Sequence, residues 1–391
     1  MRIDNIHSGY AFSRNPIVYT GNPEIPLQKE VGRLLVEMEG LIIFEGRVSQ
    51  PVRINLADII DANTGYFKEV PDDNTSPIYQ IEDSGELSCR SVKVWMCNDE
   101  GDDTDAVNFI AIPGGISKQN YRWLSNFNTD IFTARFLSPK GNYFLTSRTA
   151  NWRIAMKETE VAPLYFILPT ERSISVTEKV GNNSIELGDF DEGVYAIDIN
   201  ILRQKFFNEF QVLSSQFDIY TNGFYSCTVV LEVAETSRER YRVKFRNSLG
   251  VFEIIEFVGE LSFSPTYDEA EDASFQRYDI ATDDFQTERE RVPRTLSITA
   301  QTGPKRPYEI RFLMDMIASD EVYLLDVSAY PVKVIPSIDE LQYRLRPESP
   351  ENFTIMFEIS DREINIMQDI IDGTESRKAR IFSKEFDDRF N

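Results

Sequence analysis

The sequence predicts a mainly β chain, with two tandem antiparallel β-sandwich domains followed by a smaller C-terminal α+β unit. Three observations lead there. Short runs rich in aromatic and β-branched residues alternate apolar with polar, the period of a strand with one buried face. Gly, Pro, Asn or charge clusters bound these runs, a spacing that suits antiparallel sandwiches better than a parallel α/β sheet. Helical patterns are few.

Taken in order, residues 1–25 read as a polar N-terminal arm. Residues 26–128 form the first sandwich, with strands at Arg33 to Met38, Leu41 to Phe44 and Ser91 to Met96. Residues 129–265 form the second, with strands at Cys227 to Val233 and Tyr241 to Phe245. The order of pieces recurs. Leu41 to Phe44, Ile54 to Ile60, Cys89 to Trp95 and Asn108 to Ser117 in the first half answer to Pro163 to Ile167, Ala196 to Leu202, Cys227 to Val233 and Tyr241 to Gly250 in the second. The offset is roughly 120 to 140 residues, which suits duplication of a sandwich, although two unrelated sandwiches also share strand spacing. Residues 266–293 lack a hydrophobic period and read as an acidic connector or arm that gains little by burial. Residues 294–391 return to strand patterns, at Thr295 to Thr299, Val322 to Leu325, Tyr330 to Ile335 and Phe353 to Ile359. Helices are expected at Arg203 to Leu213, Tyr308 to Ile317 and Glu363 to Ile371, the last before the Asp372-Gly373 stop.

Composition removes several classes of function. Sixty-four acidic against 41 basic side chains leave a net charge of −23. A nucleic-acid backbone or an anionic membrane is repelled by such a surface. His7 is the sole histidine. Histidine is the usual general base near neutral pH and the commonest metal ligand, so Ser-His-Asp, Cys-His and multi-histidine metal chemistry lack their central residue. Cys89, Cys97 and Cys227 are odd in number and without C-x-x-C spacing, and read as buried thiols in a reducing compartment. The first ten residues contain no apolar h-region, and no apolar run is long enough to span a bilayer, so the expected place of synthesis is a cytosol. No cofactor is expected.

The candidate sites are modest. The run Asp99 to Asp105 is rich in carboxylates but misses the EF-hand register, and a solvated hairpin tip is the preferred reading over a calcium loop. Arg246, at the head of Arg246-Asn247-Ser248-Leu249-Gly250, stands in a turn between two strands, where a carboxylate partner is the preferred role. Gly114-Gly115 is not followed by a P-loop lysine and carries no nucleotide site. Tyr121-Arg122-Trp123 follows a polar turn and mixes two aromatics with a cation, which suits protein or sugar contact. Asp268, Glu269, Glu271 and Asp272 belong to the acidic connector and suit contact with a neighbouring subunit or a basic partner.

Several motifs carry a resemblance. Asn15-Pro16-Ile17, Pro113-Gly114-Gly115-Ile116-Ser117, Phe144-Leu145-Thr146-Ser147-Arg148, Phe245 to Glu253 and Ile317 to Tyr323 resemble a family of β-rich proteins of tailed phages and prophages of Bacteroides-group bacteria, crAss-like phages included. The resemblance extends over most of the chain. It implies a virion component of the tail or head-to-tail region and brings no catalytic residues.

The expected function is therefore non-enzymatic. A ring, adaptor or hub protein of a virion, made in the host cytoplasm, would assemble with copies of itself and with other virion proteins. A carbohydrate-binding or adhesin module is the first alternative, with a glycan as partner, and a carboxylate-based glycoside hydrolase is the second.

Overall fold

A computed structural model of the chain describes residues 2–21, 31–49, 53–81, 88–98, 106–117, 132–150, 152–234, 236–237, 239–267, 274–289, 294–328, 330–338, 342–344 and 350–359. The fold is mainly β, half strand and 12% helix. By compactness the chain divides into two units. The first comprises Met1–Met156, Val161–Glu232 and Asn247–Phe252, and the second Lys157–Glu160, Val233–Arg246 and Glu253–Asn391.

Both expected sandwiches lie in the first unit. In one, a five-stranded sheet runs in the order Tyr10–Phe12, Val107–Ile112, Arg90–Asn98, Val31–Met38, Leu41–Ser49. Its inner side chains, among them Leu34, Val36, Val92, Val94 and Phe109, share a core with Ile17 and Tyr19 and with Leu56 and Ile60 at helix α1 (Ala57–Asn63). Ile17 and Tyr19 come from, or precede, a small sheet ordered Arg2–Asp4, Val18–Thr20, Arg53–Asn55. In the other sandwich a six-stranded sheet is ordered Thr149–Ala150, Arg153–Lys157, Phe224–Glu232, Gln216–Thr221, Arg172–Glu178, Ser184–Phe190. Against it lie Leu164–Leu168, Gly193–Ile197 and Ile78–Gln80, with helix α2 (Ile199–Phe210). Phe166, Phe206, Phe217, Ile219 and Val229 fill that core and are fully buried.

A polar side chain stands at both strand-to-helix passages, one residue before the N-cap of α1 and at the N-cap of α2. Asn55 Oδ1 accepts the N–H of Ala57 at the head of α1, and Asp198 Oδ1 accepts those of Asn200 and Ile201 at the head of α2. A short polar side chain there satisfies amides that the helix leaves unpaired. A third core, containing Phe12, Phe132, Phe136, Tyr165, Val194 and Leu249, lies within the same unit and draws on residues of both halves.

The second unit holds one seven-stranded sheet. Its order is Phe252–Val258, Arg240–Arg246, Val322–Leu324, Val332–Ser337, Thr354–Ile359, Arg294–Gln301, Leu261–Tyr267. Helix α3 (Pro307–Ile317) contributes Ile310, Phe312, Leu313 and Met316 to the core beneath it, with Phe312 edge-on to Phe245 at 5.0 Å. Pro307 opens the helix and Glu309 Oε2 accepts the Arg306 N–H at 2.8 Å, the start signal that a sequence can carry.

Four expectations need correction. Residues 1–25 are not an arm where they are described: Tyr10, Phe12, Ile17 and Tyr19 are buried, and His7 stacks on Phe132 at 5.2 Å. Their strands are three residues long, too short to show a period. Ile78–Gln80, assigned to the first sandwich, pairs with Gly193–Ile197 in the second. The strands from 240 to 267 belong to the C-terminal α+β sheet rather than ending the second sandwich. Finally, the connector at 266–293 contains an antiparallel hairpin of Ser274–Asp279 with Asp284–Arg289. The helix expected at Glu363 to Ile371 lies outside the described residues, as does the acidic run Asp99 to Asp105.

Candidate interaction site

Of the residues singled out by sequence, Arg246 is described, whereas Tyr121, Arg122, Trp123, Asp268, Glu269, Glu271 and Asp272 lie outside the described residues. Arg246 is buried and grips Glu321 through both Nε, at 3.0 Å, and Nη2, while its backbone N–H meets the Glu321 carbonyl at 3.0 Å. Burial pushes the Glu321 carboxyl up, but the hydrogen bond from Tyr323 at 2.6 Å and the contact with Arg246 hold it below the usual carboxylate range. The pair locks two adjacent strands of the second unit, the carboxylate partnership that the turn sequence suggests.

Two carboxylates also meet inside the second unit. Glu160 accepts the backbone N–H of Lys157 and that of Glu256, at 3.2 and 2.8 Å. Burial raises the Glu256 carboxyl above its ordinary range, with Arg240 at 2.9 Å only partly offsetting it. Lys305 donates to the Glu256 carbonyl at 2.6 Å, and burial lowers its ammonium. Both Glu256 and Lys305 are fully buried, so this charge cluster offers no face to a substrate and acts as an internal clamp.

An accessible feature of the second unit is a ribbon that follows its edge strand in sequence. The edge strand Leu261–Tyr267 pairs with Arg294–Gln301, Tyr267 opposite Arg294. The hairpin Ser274–Asp279 with Asp284–Arg289 lies between them in sequence, its ladder running Ser274 opposite Arg289 to Asp279 opposite Asp284. Both ladders therefore belong to one long excursion of the chain. At its tip Asp279 Oδ1 accepts the Ala281 N–H at 3.0 Å, and Tyr278 hydrogen-bonds Asp283. Tyr278 and Phe285 meet edge to face at 5.3 Å, and Arg277 pairs with Glu288 across the strands.

Large apolar groups of this ribbon face solvent. Ile280 is 86% and Phe285 62% exposed, and Phe263, Tyr267, Phe275 and Tyr278 are each at least two-fifths exposed. Isolated two-stranded hairpins are marginal in water, and clustered exposed apolar groups mark contact surfaces. The described hairpin carries Asp279, Asp283, Asp284 and Glu288 against Arg277 and Arg289, so its aromatics sit in an acidic field. Sequence reasoning missed these aromatics because with both faces in solvent no period appears. The one available signal was their mirror placement about the tip, Tyr278-Asp279 against Asp284-Phe285.

No protein-family model matches this sequence, and no curated protein does. Among solved structures, extracellular domains 3–5 of Drosophila OTK are similar at 7% identity and a TM-score of 0.16, over 76% of this chain and 91% of that one. A likeness that slight assigns neither fold nor function. No helix among the described residues is long and apolar enough to cross a membrane.

Proposed function

We propose that this chain is a non-enzymatic structural protein of a phage virion, a ring, adaptor or hub of the tail or head-to-tail region that docks on a neighbouring virion protein through the acidic, aromatic-bearing ribbon. The observation that carries this reading is the solvent exposure of Phe275, Tyr278, Ile280 and Phe285 on a two-stranded hairpin. Such a hairpin gains its stability from what covers it. Charge complementarity selects the partner: the stretch Asp268 to Arg291 holds nine acidic against three basic side chains, so a basic face with an apolar floor fits it. Association with further copies would have to overcome a net charge of −23 on each.

The test is the mass in solution of the full chain, and of a chain lacking residues 268–291, alone and mixed with candidate virion proteins at two ionic strengths. A complex with a basic partner that requires the ribbon and weakens with salt is expected. Assembly unchanged by the deletion would overturn the ribbon's role, and a monomer that ignores every virion partner would overturn the reading as a whole.

A further inference from the structure

The outer face of the six-stranded sheet in the first unit is a second exposed surface, with a chemistry unlike that of the ribbon. Inward-facing residues of this sheet, Ile174, Val176, Phe217, Ile219, Val229 and their neighbours, are buried in the core. Strand alternation therefore turns Ser175, Thr177, Tyr220 and Thr228 to the other face, with the buried Asp218 beneath them, and the register shift between Ile219 and Tyr220 brings Tyr225 there as well. The register sets them in rows: Ser175 opposite Tyr220, Thr177 opposite Asp218, Tyr220 opposite Tyr225, and Asp218 opposite Thr228.

Aromatic and hydroxyl groups interleave here. Trp152 is 52% and Tyr225 41% exposed. The Tyr225 hydroxyl reaches the Trp152 carbonyl at 3.5 Å and Thr228 Oγ1 at 2.8 Å, which sets the phenol beside the turn bearing the indole. Tyr220 stands edge-on to Tyr225 at 5.9 Å. Thr228 Oγ1 in turn donates to Asp218 at 2.6 Å, and Lys179 pairs with the same carboxylate. These contacts hold the two tyrosine rings in place before any ligand arrives, so little of their ordering entropy remains to be lost on binding.

We propose that this face binds an uncharged polysaccharide, laid across Trp152, Tyr220 and Tyr225. The argument rests on three features of the surface and is independent of the ribbon. Flat rings separated by hydroxyls match a sugar, whose C–H faces stack on aromatics while its hydroxyls exchange hydrogen bonds with Ser and Thr side chains, the buried Asp218 serving to fix Thr228. A protein partner would want a desolvated apolar centre, and among the described residues the rows between these rings are mostly polar. Charge decides the remaining choice. Lys179 with Asp218, and Arg153 with Glu232, cancel locally on a molecule of net charge −23. A polyanion is thus repelled by the whole, a polycation has stronger attractions elsewhere, and a neutral glycan meets no penalty.

The test is affinity electrophoresis of the full chain in gels containing mixed-linkage β-glucan, xylan, galactomannan or dextran, with alginate as the polyanion. Retardation by at least one neutral polymer is expected, and none by alginate. Trp152→Ala and Tyr225→Ala should each weaken that binding by about 2- to 10-fold, the loss from one ring contact. Tyr225→Phe, which keeps the ring, should retain more of it than Tyr225→Ala. Unchanged thermal melting of these surface variants separates loss of binding from loss of fold. Migration unaffected by all four neutral polymers overturns the proposal, as does retardation that both alanine variants leave intact or that alginate matches. Deletion of residues 268–291 should leave the retardation unchanged, so the failure of one proposal is distinguishable from the failure of the other.

Discussion

Gly115 donates its backbone N–H to the carbonyl of Ser248 at 2.8 Å, joining two turns from opposite halves of the sequence. Around this bond lie residues of two further motifs. Asn15 exchanges hydrogen bonds with the backbone of Ile116 at 2.8 and 3.0 Å. Asn247 accepts from Leu249 and Val251 and donates to Leu145. Four of these motifs, scattered along the chain, thus meet in one buried junction of the first unit, and their chemistry there is that of holding loops together.

Gly114 makes the junction sensitive to a single methyl group. Its φ is +90°, and a Cβ there would come within 2.7 Å of Leu249 Cα, a backbone atom that cannot swing aside. Gly223 shares a positive φ, +74°, with open space around it. Gly223→Ala should therefore cost about 1 kcal/mol, the left-handed penalty alone. Gly114→Ala should cost about 2–4 kcal/mol, the overlap adding to it. Urea denaturation of both variants checks the difference; equal losses would refute the clash.

Glu178 is buried and closes the turn that follows its strand, accepting the N–H groups of Val180, Gly181 and Asn183 at 2.6, 2.7 and 3.2 Å. Burial raises its carboxyl, but these hydrogen bonds outweigh that and leave it below the ordinary value of 4.5. A depressed folded value means stability that is present above pH 4.5 and fades as pH falls through the folded value. Glu178→Ala should cost about 1–3 kcal/mol at pH 7, because three turn amides lose a charged acceptor. The deficit should shrink in acid; a deficit independent of pH would remove the carboxylate from the account.

The opposite sign applies to Glu256. Its folded value is raised above 4.5 by burial, so the folded state holds the proton more tightly than the unfolded chain does. The stability contributed by that proton is complete below pH 4.5 and is lost as pH rises through the folded value. Glu256→Gln, which keeps the shape without the charge, should be more stable than the native chain at pH 7 and indistinguishable from it below pH 4.5. Denaturation curves at both pH values test this, and a destabilised variant at pH 7 would show that the pairing with Arg240 dominates.

Cys227 is fully buried, and burial pushes its thiol up to about 12. At pH near 8 the native chain should leave Cys227 unlabelled by a maleimide, while Cys89, which is partly exposed, reacts first. Mass mapping of the labelled peptides decides it. Rapid native labelling of Cys227 would mean that the second sandwich opens readily.

Parts of this molecule are legible in one dimension because the physics there is local. The alternation in Ser91 to Met96 marks Val92, Val94 and Met96 as inward, and all three are buried. Pro307 and Glu309 mark the head of α3, and the Asn247 to Gly250 turn sits where Asn and Gly predict it. The Arg246 ion pair was equally readable, since a cation at a strand end beside a turn has few places to go. Trp152, Tyr220 and Tyr225 were not, because they come together only when the Trp152 turn and two strands are set side by side.

From the amino-acid order alone follow the β class, the stops and turns, the excess of negative charge and the scarcity of histidine. Folding alone decided that the first twenty residues belong to a core, that Ile78–Gln80 completes the sheet of the other sandwich, and that the acidic stretch zips into a ribbon bearing exposed rings. A period-two pattern tells which side of a strand is buried. It leaves open which strand lies alongside, because that depends on loop closure and on packing between residues far apart in the chain.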